Sequence, residues 1–171
     1  MAAPSEIELI ARLLVAAGCG AVVGFDRERR ERPAGLRTFM LVSTGAALFG
    51  IVSLVGFQAI GSDFADPGRV AAQVVTGVGF LGAATIIRER RSVIGVTTAA
   101  SIWMMAAVGL AAGAGMYLIA VVATLLTFAI LTVARRLEPA SRPGASKANE
   151  RAAAILPNGR SKRRRRPAAG S

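Results

Sequence analysis

Long apolar stretches broken by short charged connections organise this chain. No Asp, Glu, Lys or Arg occurs in residues 38–62, 70–87 or 92–134. A helix rising about 1.5 Å per residue needs about 20 residues to cross a hydrocarbon core of about 30 Å. Four apolar blocks meet or approach that length: residues 7–25, 38–60, 70–87 and 92–134. The last is twice as long as one crossing needs and carries Gly109, Gly113 and Gly115 near its middle. It predicts two helices joined by a tight turn. The pattern as a whole predicts an all-α, polytopic transmembrane helix bundle of about five spans.

The charged positions give the bundle a direction. The connection over residues 26–37 holds Arg27, Arg29, Arg30, Arg32 and Arg37, and the next connection on that side holds Arg88, Arg90 and Arg91. All remaining Lys and Arg residues but two, Arg12 and Arg69, follow residue 134. Positive residues stay cytoplasmic, so the N-terminus is expected outside and the C-terminus in the cytoplasm, as in a multi-pass protein of the inner (plasma) membrane. The first block is preceded by Glu6 and Glu8 rather than by a basic segment. It therefore reads as a retained span and not as a cleaved leader. Two regions follow: a bundle over residues 1–136 and a basic tail over residues 137–171, rich in Pro, Gly, Ala, Ser, Lys and Arg, expected to be disordered. Its run from Lys162 to Arg166 would be drawn to anionic headgroups of the bilayer.

Composition narrows the function classes. The chain is 53% hydrophobic and 18% charged, against about 25% charged in soluble domains, which excludes a soluble enzyme. The net charge of +11 sits at the ends of apolar runs and in the tail, so it reads as an orientation signal and not as a nucleic-acid footprint. Histidine is absent, and Cys19 stands alone in an apolar helix, where it reads as a small hydrophobe. There is no G-x-x-x-x-G-K-[ST] loop, no H-E-x-x-H and no G-x-S-x-G. No enzyme, cofactor or metal-ligand set is assigned.

In lipid, helices associate through close packing and buried polar contacts. Gly20 and Gly24 in the first span and Gly77, Gly79 and Gly82 in the third are the candidate packing positions, first within the bundle and second between two copies of the chain. Polar groups at membrane depth are the candidate functional ones. Asp66, Arg69 and Gln73 share one face where the third span begins, and Asp66-Pro67 also reads as a helix start. A polar entrance lined by these three and continued by Thr97 and Thr98 is the sharper reading. Asp26, Glu28 and Arg37 flank the first connection, where Asp26 could pair with Arg37 across adjoining helices. Arg12, inside the first span, is expected to extend its stem to the outer headgroups.

Three blocks in this order and spacing resemble the MgtC/SapB family (MgtC/SapB/SrpB/YhiD). They are Gly24-Phe25-Asp26-Arg27-Glu28 with Ala34-Gly35-Leu36-Arg37-Thr38; Asp66 to Arg69 with the Ala71 to Ala83 run; and Gly95 to Trp103. The resemblance covers residues 9–133. It implies a bacterial inner-membrane protein linked to growth in low magnesium. It also implies, as in its best-known branch, a regulator that binds the membrane sector of the ATP synthase. That branch carries a soluble C-terminal domain where this chain has its basic tail, so a short form is expected. Two functions stand side by side: a non-catalytic regulator that binds another membrane protein, and a small transporter or ion pathway for magnesium or another solute. The first needs an exposed face of small and polar residues, the second a polar path through the bundle.

Overall fold

The computed structural model describes residues 4–56, 66–89 and 92–137. It is an all-α bundle. The helices are α1 (Glu6–Arg29), α2 (Leu36–Ile51), α3 (Pro67–Ala83), α4 (Val96–Gly113) and α5 (Tyr117–Leu137). A single wider π turn, Val52–Gly56, continues α2, and a small antiparallel hairpin of β1 (Ile87–Glu89) and β2 (Ser92–Ile94) joins α3 to α4. α1, α2 with its π turn, α4 and α5 are long and apolar enough to cross a membrane. α3, with 17 residues, is about 25 Å long and lies at the short limit for a crossing. Its two ends nevertheless meet opposite ends of the bundle: Arg69 lies across a groove from α2, while Gly82 rests on Ala99 of α4. The basic tail lies outside the described residues, as do Gly61 and Asp63 in the connection after α2.

Local chemistry sets each helix start. The Ser5 side chain accepts the Glu8 N–H, Glu6 and Glu8 occupy the first turn of α1, and Arg27 and Arg29 its last, matching the helix dipole at both ends. α2 begins after Gly35, which has no side chain to cap it. The Glu28 carboxylate reaches back from α1 and accepts the Leu36 N–H at 2.7 Å instead. Asp66 caps α3 through the Gly68 N–H at 2.8 Å, with Pro67 at the first helical position. The turn between α4 and α5 falls at Gly115, whose φ of +81° suits a residue without Cβ.

The core is a triad of α1, α2 and α4. Glycines let the backbones touch: a Cβ on Gly20 would lie 2.6 Å from the Phe39 carbonyl oxygen, and one on Gly24 2.8 Å from the Leu36 Cα. Gly109 and Gly113 of α4 meet the carbonyl oxygens of Ser43 and Ala47 so closely that any Cβ there would overlap them. Ala16, Val23, Phe39, Ala47, Met105 and Ala112 fill the space between, and the Ser43 hydroxyl donates to the Ala16 carbonyl at 2.8 Å. α5 buries Ala120, Thr124 and Thr127, packs Ala123 and Leu131 partly against the core, and leaves most of its large apolar side chains facing outward.

Two expectations about packing divide here. Gly20 and Gly24 are tight contacts, and Gly82 touches Ala99. Among the described residues Gly77 and Gly79 are not packing positions within the bundle, for a Cβ on either meets nothing within 4 Å.

Candidate functional site at the two ends of the first helix

The helix α1 carries a buried stripe at helical spacing: Ala16, Cys19 with Gly20, then Val23 with Gly24. Extended one step each way, that stripe reaches Arg12 and Arg27, and both point into the bundle. Arg27 is 5% exposed, and its Nη2 donates to the Thr98 hydroxyl, itself 2% exposed, at 2.6 Å. Its Nε is buried and has no hydrogen-bond partner among the described residues. The neighbouring carboxylates are engaged elsewhere, Glu28 with the start of α2 and Asp26 with Arg30 at 2.7 Å. A guanidinium held by one neutral hydroxyl is an expensive thing to bury, and here it fastens α1 to the first turn of α4.

The other end is built alike. Arg12 Nη1 donates to the Gly113 carbonyl at 2.9 Å, Nη2 donates to Glu8, and Nε is again buried without a partner. The guanidinium also lies beneath Gly115, about which the chain turns into α5. Arg12 therefore does not extend to the headgroups as its long stem suggested. It closes the turn between α4 and α5.

The residues singled out from the sequence are split between these ends. Asp66, Arg69 and Gln73 sit at the start of α3, on the Arg12 side; Thr98 lies at the opposite end, beside Arg27, with Thr97 exposed next to it. The length of α3, about 25 Å, separates them, so Thr97 and Thr98 do not continue a polar entrance from Asp66. Within the Asp66 group, the carboxylate turns back onto Gly68, and Arg69 and Gln73 line a groove between α2 and α3. Asp26 pairs with Arg30 along α1 and not with Arg37, which is exposed on α2. Among the described residues, no three Asp, Glu or Cys side chains gather as a metal site.

The basic connection after α1 and the hairpin before α4 both adjoin the Arg27 end. A sequence profile of the MgtC family matches residues 13–140, which take in Arg27 and Thr98 and begin one residue after Arg12. The chain belongs to the MgtC family.

Among the relatives of this MgtC-family chain, the "Putative magnesium transporter YhiD" of Escherichia coli (strain K12) is 47% identical over 134 residues, 76% of this chain and 62% of that protein. Protein MgtC of Brucella abortus (strain 2308) is 47% identical over 118 residues, covering 69% and 48%. Protein MgtC of Salmonella typhimurium (strain LT2) is 44% identical over 117 residues, covering 68% and 48%. The chain thus spans about half to three fifths of the length of these relatives. No solved structure matches. Family membership and the apolar helices make this a membrane protein of the MgtC/YhiD type.

Proposed function

We propose that this chain is a non-catalytic regulator of the bacterial inner membrane, with its N-terminus outside, that acts under magnesium limitation by binding another integral membrane protein. The membrane sector of the ATP synthase is the partner to test first. The observation that supports this reading is the character of the interior. Arg12, partly buried, and Arg27, buried, are held by groups of the same chain at opposite ends of α1. The layer between them is glycine-tight and dominated by Ala16, Val23, Phe39, Ala47, Met105 and Ala112, with the buried Ser43 hydroxyl bound to the Ala16 carbonyl. A solute path would need polar groups through that layer. The outward faces of α3 and α5 are what remains to act.

The second reading, a magnesium pathway, is favoured by the name of the Escherichia coli relative. One experiment separates them. The tagged chain is crosslinked in cells grown in low magnesium, purified and its partners identified, while the same protein in liposomes is tested with an internal magnesium indicator. Recovery of an ATP synthase membrane subunit without magnesium flux above empty liposomes is the expected result. Saturable flux would overturn the regulator reading.

A further inference from the structure

Between α2 and α3 lies a groove of about 580 Å³. Its walls include Leu41, Gly45 and Phe49 on α2 and Val70, Gly77 and Leu81 on α3, and Ala106 of α4 forms the floor. Among the described residues, everything that lines it is apolar except Arg69 and Gln73, which stand together at one end. Both wall glycines are open, for a Cβ on Gly45 or Gly77 would meet nothing within 4 Å. They widen the slot instead of drawing helices together.

The dimensions fit an acyl chain. From Arg69 to Leu81 the groove runs about 18 Å along α3, close to one leaflet, or half of a hydrocarbon core of about 30 Å. An apolar slot of that length matches one lipid chain lying beside the helix.

The charge at its end agrees. Arg69 is exposed and has no ion-pair partner among the described residues, because the nearby Asp66 carboxylate is turned onto its own helix start. A guanidinium and a carboxamide at headgroup depth above an apolar slot are complementary to an anionic phosphate that carries acyl chains. We propose that this groove is a binding site for one anionic membrane phospholipid, with an acyl chain between α2 and α3 and the phosphate against Arg69 and Gln73.

The test uses the full chain in nanodiscs of mixed phosphatidylglycerol and phosphatidylcholine, followed by mild detergent release and native mass spectrometry. Wild type should retain one phosphatidylglycerol per chain. Arg69→Gln should keep a bound lipid but lose its preference for phosphatidylglycerol by roughly tenfold, the size of one charge-assisted hydrogen bond. Gly77→Leu fills open space, so it should abolish retention of either lipid while the helical circular dichroism and unfolding midpoint stay at wild type. Gly45→Leu, on the facing wall, does the same independently if Gly77→Leu fails to fold. Retention of no lipid by wild type, or an unchanged lipid preference in Arg69→Gln, would overturn the proposal. A dimer that Gly77→Leu converts to monomer would assign the groove to a second copy and overturn it as well.

Discussion

Thr98→Val tests the anchoring of Arg27 most directly, because it keeps the shape of the side chain and removes only the hydroxyl. In the folded bundle that hydroxyl accepts the Arg27 Nη2 proton at 2.6 Å, and both residues are at least 95% buried. Its loss leaves the guanidinium with Nη2 as well as Nε unpaired inside the bundle. Hydrogen bonds to charged groups contribute about 1.5–3 kcal/mol, so Thr98→Val should cost about 2 kcal/mol, roughly thirtyfold in the unfolding equilibrium. Thr97→Val is the control, since Thr97 is exposed and surface changes stay within about 0.5 kcal/mol. Reversible unfolding in mixed micelles can be followed through Trp103, the single tryptophan, half exposed on α4. The double variant Arg27→Met with Thr98→Val should lose less than the sum of the two single losses, because both remove one interaction. If Thr98→Val unfolds like Thr97→Val, the guanidinium is hydrated in the folded bundle and the anchoring argument fails.

Gly109→Ala should separate α4 from α2 and cost about 1–3 kcal/mol in the same unfolding assay, since its Cβ overlaps the Ser43 carbonyl; Gly79→Ala, in open space, should be neutral or slightly stabilising. Asp66→Asn should preserve both protein level and growth support in low magnesium, because Asn caps a helix about as well as Asp, whereas Asp66→Ala should weaken α3 by about 1 kcal/mol; loss of growth with Asp66→Asn at normal protein level would give the carboxylate charge a role beyond capping. A reporter active only outside the cytoplasm should be active when fused after Gly61 and inactive when fused after Arg136, and the reverse pattern would invert the bundle.

What the sequence disclosed was chiefly what the membrane dictates. Charge-free runs exposed the helices, and Gly109, Gly113 and Gly115 marked the double span; the turn comes at Gly115, while Gly109 and Gly113 serve α4 by letting α2 approach. Hydropathy has no resolution for one-turn features, so it cannot show the π turn after α2 or the pairing of β1 with β2. The burial of Arg27 is foreshadowed in the pattern: the spacing Arg12, Ala16, Gly20, Val23, Arg27 follows one face of a helix, and its small middle members signal a packed interior. A charged residue at the end of such a stripe looks like an interfacial anchor until a partner such as Thr98, far along the chain, is brought beside it. The same lack of a depth scale set Thr97 and Thr98 with Asp66, although they follow the connection at the other end. Asp66 itself was readable as a cap from Asp-Pro alone.

Synthesis order gives the Arg27–Thr98 bond a further meaning. The bond from Glu28 to the start of α2 spans 8 residues and can close as soon as the first two helices leave the ribosome. Thr98 emerges 71 residues after Arg27, roughly 4 to 14 s later at common elongation rates. During that interval the Arg27 guanidinium lacks the Thr98 hydroxyl that receives it in the finished bundle. Arrival of α4 supplies it. The burial of Arg27 thus depends on the fourth helix being in place.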